Sequence, residues 1–180
     1  DHSYFGDFRK RLGTLRLMEI FSLVRGSLQG MGLIREVFTF VDASQLVSKL
    51  TTWDDRDRAI KKGLDRFNNE TTGKVAADKQ ARFGCKGNQK YWFGYKEHAS
   101  VDMQSGLINK VAATSADITD AEGFRHVCPA GGAVYADKGY GLKSVKAALK
   151  RKGCHDATIK RNNMKEKNHK KDRWLSAIVG

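Results

Sequence analysis

Two aspartates, Asp42 and Asp137, each end a short apolar stretch of the sequence, Val37–Val41 and Ala133–Ala136. β-branched and aromatic residues are frequent in these stretches, which predicts strands buried on both faces of a sheet. A carboxylate on a buried strand raises the free energy of the folded state unless it is paired or binds a cation. If the two strands are neighbours, both carboxylates point into one crevice at the strand ends, where the sites of α/β sheets gather.

A pair of carboxylates in one crevice suits Mg²⁺, which takes one or two carboxylates together with water and phosphate oxygens. Two such ions roughly 3.5–4 Å apart can activate a nucleophile and stabilise the leaving oxygen of a phosphodiester in an in-line displacement. The alternative is that each aspartate is only a turn or cap residue, because Ser44 follows Asp42 closely and Gly139 follows Asp137. The residues alone leave both interpretations open, since perturbed acids are often structural.

Hydrophobic spacing and turn residues predict the elements that would hold these aspartates. They are a helix over 7–30 stopped by Gly30 and Gly32, a strand over 37–44, a long polar excursion over 49–90, a hairpin of strands 91–102 and 107–114, a short helix to about Cys128, a strand over 133–137, a helix over 142–152, a strand over 156–160, and a final nascent helix. This order predicts a mixed α/β sheet with flanking helices, preceded by an N-terminal helix, and at least one right-handed crossover. Asp102, before a turn, and Asp120, as a helix cap, are assigned structural roles.

The charge of the chain indicates a polyanionic partner. The 33 Lys and Arg against 20 Asp and Glu leave a net charge of +13, and nucleic acid is the commonest partner of such a surface. Residues 141–180 hold 12 basic and 3 acidic residues, a net of +9, so they form the predicted phosphate-facing region. A solvated basic tail without a partner is the alternative.

Cysteine usage and hydropathy narrow the class of protein further. The three cysteines, Cys85, Cys128 and Cys154, have no paired spacing, which argues against a disulfide framework and against a zinc ribbon. They predict reduced thiols in a cytoplasmic protein. No apolar run approaches the length that spans a membrane, so we expect a protein of the cytoplasm.

Several short motifs follow one another along the chain. They are Val41–Ser44; Asp78–Gly84, with the pattern D-x-x-A-R-x-G; Phe93–His98, with F-G-Y-K-x-H; Thr114–Asp120, with T-x-A-x-x-x-D; and Tyr135–Tyr140, which contains A-D-x-G-Y. In this order they resemble the catalytic segments of DDE transposases from bacterial insertion sequences, and residues 1–13 resemble the tail of that family's N-terminal helical domain. The resemblance covers nearly the whole chain, and the agreement of several motifs in register makes it specific.

The resemblance implies an RNase H-like catalytic domain, with which the predicted order of elements agrees. It implies cleavage and joining of transposon DNA with Mg²⁺ (or Mn²⁺) bound by Asp42 and Asp137. In that family the third metal ligand is a Glu on a helix after the last strand. We expect that Glu to come just after Gly180, the last residue of the chain as given. Glu166 lies in a basic polar stretch and is not assigned to that role. The chain as given is therefore expected to lack a complete site.

The resemblance also implies partners and boundaries. DNA contacts are expected from the motif segments and the basic region, at Arg82, Lys96, His98, Lys138, Tyr140, Lys143, Lys160 and Arg161. The expected partners are double-stranded DNA of transposon ends and target, and a second copy of the chain on paired ends, in the cytoplasm at the nucleoid. Residues 1–32 are predicted to be the tail of an N-terminal domain, and 33–180 a catalytic domain incomplete at its C-terminus. Two alternatives stay open: a catalytically dead remnant that binds DNA, and an RNase H-like nuclease without strand transfer.

Overall fold

A six-stranded mixed sheet with flanking helices is the architecture of the chain in a computed structural model, which describes residues 2–48, 69–70, 76–86, 90–160 and 168–179. In chain order the elements are α1 (His2–Gly30), β1 (Phe38–Val47), β2 (Arg82–Lys86), β3 (Lys90–Asp102), β4 (Ile108–Ser115), α2 (Asp120–Val127), β5 (Ala133–Ala136), α3 (Lys143–Arg151), β6 (His155–Asp156) and α4 (His169–Val179). A 3-10 turn, Lys138–Tyr140, follows β5. The predicted fold class, an RNase H-like mixed α/β sheet preceded by an N-terminal helix, is confirmed.

The sheet brings together strands that are far apart in the sequence. Its order is β2–β3–β1–β5–β6, and β4 also pairs with β3. β3 is antiparallel to β1, β2 and β4, whereas β5 is parallel to both β1 and β6. Parallel strands need long crossover connections, and the chain passes through the β3–β4 hairpin and α2 before it returns as β5. β5 ends at Ala136 beside Val41, in the middle of β1, so Asp42 lies at the edge that the carboxyl end of β5 leaves in the sheet.

Alternate residues of the central strands face two different apolar layers, because side chains along a strand point to opposite faces. On one side, Val41 and Ala136 pack with residues of α2 and α3. On the other side, Phe40 and Tyr135 pack with Leu175 of α4, and the two aromatic ring centroids are 6.1 Å apart. A residue that directly follows Val41 or Ala136 in an extended strand therefore belongs to the α4 side.

Helix α3 carries part of the basic region of the chain. Its buried residues are Val145, Ala148 and Leu149, while Lys143 and Lys150 are exposed. The apolar spacing is that of an amphipathic helix with one face in the core. The positive charge of this segment thus lies on the outer surface of a core helix, and this part of the basic region is not a tail.

A buried polar cluster joins α1 to the sheet. Glu36, which precedes β1, accepts hydrogen bonds from the side chains of Arg25 and Asn109 and from the backbone N–H of Ala130. Asn109 is completely buried and Glu36 is nearly so. Burying a carboxylate is costly unless it is hydrogen-bonded, and these three donors satisfy it. The cluster fixes the C-terminal half of α1 against β4.

The apolar stripe that predicts α1 is largely exposed in the described part of the chain. The exposed side chains include Phe8, Leu15, Met18, Ile20 and Val24. The helix is also broken at Gly13, whose φ of 72° lies in the left-handed region that glycine adopts without a steric penalty. Gly30 ends α1, as predicted from the sequence.

Two strands differ from the prediction. β2 lies inside the stretch 49–90 that the sequence predicts as an excursion, and it pairs with the first residues of β3. A five-residue edge strand carries little periodic signal, so its pairing partner is what defines it. The predicted strand over 156–160 forms a formal ladder only at His155–Asp156, although the backbone N–H groups of Ala157 and Ile159 continue to donate to β5.

Other expectations fall outside the described residues, among them the remainder of the 49–90 stretch at 49–68, 71–75 and 87–89, and the basic segment 161–167. Asp102 has the structural role predicted for it, since its carboxylate accepts the backbone N–H groups of Gln104 and Ser105 in the β3–β4 turn and those of Arg35 and Glu36 before β1. None of the described helices has the length and apolar character needed to span a lipid bilayer.

Candidate functional site

Asp42, in the middle of β1, and Asp137, directly after β5, each follow a residue of the last pair in the β1–β5 register. The register of β1 and β5 pairs Val41 with Ala136, and the next residue of each chain segment is one of the two aspartates. Strand alternation places the Asp42 side chain on the sheet face opposite that of Val41, whereas Asp137 lies beyond the end of β5. Adjacent strands are about 4.8 Å apart, so the two aspartates follow backbone positions that lie side by side.

Local hydrogen bonds orient each aspartate. Asp42 is exposed, and its Oδ1 accepts the backbone N–H of Ala43 at 2.7 Å. Asp137 is also exposed, and its Oδ1 accepts the N–H of Gly139 at 2.7 Å, which caps the 3-10 turn. The turn role and the ligand role are therefore compatible, because each of these bonds involves one carboxylate oxygen and a carboxylate has two.

A third carboxylate, Asp120, lies at the same edge. A Cβ at Gly139 would lie 2.9 Å from Asp137 Oδ1 and 3.6 Å from Asp120 Oδ2, so the two carboxylates flank this glycine. Asp120 Oδ1 is 2.9 Å from Lys96 Nζ. The sequence prediction gave Asp120 the role of helix cap, and this is wrong.

The N-cap of α2 is Thr119 rather than Asp120. Its side chain accepts the backbone N–H of Glu122, and the Glu122 side chain accepts the backbone N–H of Thr119, which completes a capping box. These reciprocal bonds satisfy the amides that a helix start leaves unpaired. The T-x-x-E pattern at 119–122 is typical of a capping box and predicts Thr119, rather than Asp120, as the N-cap.

Tyr140 is buried beneath this acidic edge. The residue is 1% exposed, its ring packs edge-on against Phe124 with centroids 6.0 Å apart, and its hydroxyl has no hydrogen-bond partner among the described residues. Burial, together with the negative charges of Asp120, Asp42 and Asp137, raises the pKa of the hydroxyl far above its usual value. All three carboxylates are therefore within electrostatic reach of one buried hydroxyl group.

The structure buries two of the residues that are expected to contact DNA, His98 and Tyr140. The ring of His98 is completely buried, and its Nε2 is 2.8 Å from Thr114 Oγ1. It fills the space above Gly123, where an added Cβ would lie 2.1 Å from the ring. Burial also lowers the pKa of His98. Neither side chain is exposed to a DNA surface in this structure, and both are core residues of the α2 side.

The other expected DNA contacts have varied environments. Lys138 and Lys143 are exposed. Lys160 Nζ lies 3.4 Å from Asp156 Oδ2, and Arg82 donates from Nη1 to the carbonyl oxygens of Lys79 and Ala81. Lys96 is paired with Asp120 as described above, and Arg161 lies outside the described residues. Their contacts with DNA stay predictions.

The donor set at the edge fits a hard divalent cation. Asp42 and Asp137 supply two exposed carboxylates in register, which is the number that Mg²⁺ commonly takes beside water and phosphate oxygens. Within the part of the chain that the structure describes, no three or more His, Cys, Asp or Glu side chains form a group that could hold a metal ion. Cation binding by Asp42 and Asp137 stays a prediction, and Glu166 lies outside the described residues.

The mixed sheet with its flanking helices is an RNase H-like fold. The chain belongs to the family of transposase DDE domains, whose family model, described as "Transposase DDE domain", matches residues 40–177. The match begins two residues before Asp42 and extends past Asp137 into α4, so it covers β1 through α4. No curated protein and no solved structure matches the chain. The family predicted from the motifs is confirmed.

Proposed function

We propose that the chain is part of a transposase that cleaves transposon DNA and joins it to a target, with Mg²⁺ or Mn²⁺ held by Asp42 and Asp137. The observation that supports the proposal is the register of β1 and β5, which pairs Val41 with Ala136, the residues directly before Asp42 and Asp137. Membership of the transposase DDE domain family supports DNA as the substrate.

The residues of this edge divide the work of the reaction. Divalent cations would supply activation of the attacking oxygen and stabilisation of the leaving oxygen. Asp42 and Asp137 bind the cations, and the backbone bonds from Ala43 and Gly139 keep both carboxylates oriented. Exposed lysines such as Lys143 attract the phosphate backbone electrostatically. Water first attacks a phosphodiester at the transposon end and displaces its 3′ oxygen as a free 3′-hydroxyl. This hydroxyl then attacks a phosphodiester of the target strand and displaces the 3′ oxygen there.

Cation binding by the chain itself tests the proposal without relying on turnover. We expect Asp42→Asn and Asp137→Asn each to weaken Mn²⁺ binding, measured by isothermal titration calorimetry, by roughly tenfold or more, since even outer-shell changes cost that much. Asp117→Asn is the matched control, because Asp117 is exposed and its carboxylate accepts a hydrogen bond from Ser115. Equal Mn²⁺ affinity in all three variants would contradict the assignment of the two ligands.

DNA assays separate the proposed function from its two alternatives. We expect Asp137→Asn to abolish cation-dependent cleavage of a labelled duplex while DNA binding stays nearly unchanged. Joining of a supplied 3′-hydroxyl end to target DNA identifies strand transfer, whereas cleavage without joined product identifies a nuclease. Binding to DNA without any cation-dependent cleavage identifies a DNA-binding remnant, a function that the net charge of +13 also supports.

The proposal extends to boundaries, partners and location. Residues 33–180 would form the catalytic domain and residues 1–32 the tail of a preceding helical domain. Two copies of the chain would assemble on paired transposon ends, in the cytoplasm at the nucleoid. Sedimentation of the chain with a duplex that carries two element ends, compared with a duplex that carries one, measures this assembly.

A further inference from the structure

Lys96 and Asp120 form an ion pair near the end of β5, because Asp120 Oδ2 and Asp137 Oδ1 flank Gly139. Lys96 Nζ and Asp120 Oδ1 are 2.9 Å apart, and the Lys96 side chain is 13% exposed while that of Asp120 is 38% exposed. Lys96 stands on β3 opposite Gln45 of β1, and Asp120 begins α2. The pair therefore ties the start of a helix to the central sheet at the edge that carries Asp42 and Asp137.

The helix does not need the carboxylate of Asp120 for its own start. Thr119 and Glu122 already form the capping box of α2. The second oxygen of Asp120 instead faces Gly139, where it approaches the space that Asp137 also borders. Its position is therefore explained by the edge of the sheet rather than by the helix.

The acidic edge must be reconciled with a polyanionic substrate. Asp120 and Asp137 flank Gly139, and both act electrostatically, together with Asp42, on the buried hydroxyl of Tyr140. A phosphodiester that approaches such an edge is repelled unless cations offset the charge. Lys96 is a cation that the chain itself places there.

Two side chains contact the ammonium group of Lys96. Asp120 holds it on one side, and the ring of Trp92 lies 5.8 Å from Nζ on another. A shallow hollow lined in part by Ser44, Gln45, Trp92, Lys96 and Asp120 opens over the pair. An ammonium group has three N–H donors, so the bond to Asp120 leaves donors that a phosphate oxygen in the hollow can accept.

We propose that Asp120 is a positioning residue, which holds the ammonium group of Lys96 at the carboxyl edge so that Lys96 binds a phosphate of the DNA strand lying over Asp42 and Asp137. The inference rests on the proposed function, because it takes DNA as the ligand. A carboxylate near DNA ordinarily weakens DNA binding. Asp120 would instead strengthen DNA binding, because its negative charge orients the positive charge of Lys96.

The sign of the effect provides the test. The dissociation constant of the chain for a fluorescent duplex is measured by anisotropy in Mg²⁺ over a range of salt concentrations. Loss of a negative charge normally strengthens DNA binding, yet we expect Asp120→Asn to weaken it several-fold. We also expect the slope of log affinity against log salt to fall by up to about 1, the value for one lost phosphate contact. Asp117→Asn removes the same charge from a neighbouring exposed position and should bind as tightly as the wild type or more tightly.

Further variants of the pair keep the test decisive. Lys96→Gln should weaken binding, Lys96→Arg should retain most of it, and Asp120→Asn combined with Lys96→Gln should be no weaker than Lys96→Gln alone. If Asp120→Asn does not fold, as judged by circular dichroism, the comparison of Lys96→Gln with Lys96→Arg decides: equal affinities would overturn the proposal. An Asp120→Asn variant that folds and binds DNA as tightly as the wild type would overturn it as well.

The outcome for the proposed function is separable. Should the Asn variants at 42 and 137 leave Mn²⁺ binding unchanged while Asp120→Asn still weakens DNA binding, the metal assignment falls and the Lys96–Asp120 phosphate contact stands. Should the reverse hold, only the positioning role falls.

Discussion

Gly132→Ala tests whether the aspartate pair depends on the close approach of β5 to the start of β1. Gly132 has a φ of +74°, and a Cβ at this position would lie 1.9 Å from the carbonyl oxygen of Glu36 and 2.6 Å from that of Val37. The backbone at this point is also fixed by a hydrogen bond from the N–H of Ala133 to Val37. The methyl group therefore meets backbone atoms, which cannot rotate away as a side chain can.

The expected loss of stability has two parts. An L-residue with a left-handed backbone conformation costs roughly 1–2 kcal/mol. Relief of the overlap requires β5 to move away from the segment before β1, and overpacking of this kind typically costs about 1–3 kcal/mol. We therefore expect a free energy of unfolding lower by about 3 kcal/mol, which for a chain of this size lowers Tm by roughly 6–12 °C.

Thermal and urea unfolding, followed by circular dichroism, measure this loss. Gly131→Ala is the matched control, because a Cβ at Gly131 has no atom within 4 Å and its effect should stay within about 1 kcal/mol. We also expect Gly132→Ala to bind Mn²⁺ more weakly than Gly131→Ala at temperatures where both are folded, since the displaced β5 carries Asp137. Equal melting temperatures of the two variants would refute the reasoning.

Two further predictions concern the layers beneath the edge. Gly123→Ala should destabilise α2 strongly, because the new Cβ would lie 2.1 Å from the buried ring of His98. The double variant Gly123→Ala with His98→Ala should recover part of the lost stability. Urea titrations of the single and the double variant measure the difference in unfolding free energy. Acid should weaken the β3–β4 turn: burial raises the pKa of Asp102, but the hydrogen bonds that its carboxylate accepts outweigh burial and lower the pKa below its usual 3.8. The stability that Asp102 contributes is present above its unfolded pKa and is lost as the pH falls through the lower folded value. Asp102→Asn should therefore flatten the dependence of the unfolding free energy on pH below about 4. An unchanged dependence in this acid range would contradict the prediction.

The aspartate pair could be predicted from the sequence because its signals are local. An apolar stretch that ends in an acidic residue predicts a buried strand end. This is right at Asp137, which directly follows β5, but β1 continues past Asp42 to Val47. The β3–β4 hairpin was predictable for the same reason, since strand periodicity and a glycine turn lie within one short stretch. The order of the elements then limited the fold, because strand–crossover–strand connections allow few arrangements.

The errors arose where the answer depends on contacts between distant segments. Alternation along β3 predicts that Lys96 and His98 share a face, but it cannot predict that Gly123 of α2 admits the ring of His98 and so buries it. Tyr140 follows the A-D-x-G motif at a turn, which suggests exposure, yet the turn directs its ring onto Phe124. Asp120 was assigned to a cap because several capping residues adjoin it, and only the geometry of the capping box separates their roles.

The pairing of β1 with β5 determines when the domain can fold during synthesis. The hydrogen bond from Ala130 to Glu36, near the start of these two strands, joins residues 94 positions apart, whereas β3 and β4 form a hairpin that can close in about 1–10 μs. Non-local parallel pairing is slow, since the entropy of loop closure is lost before any contact compensates for it. A chain emerging from the ribosome therefore exposes Asp42 long before Asp137 is made, and the two-carboxylate site arises only when synthesis has passed β5.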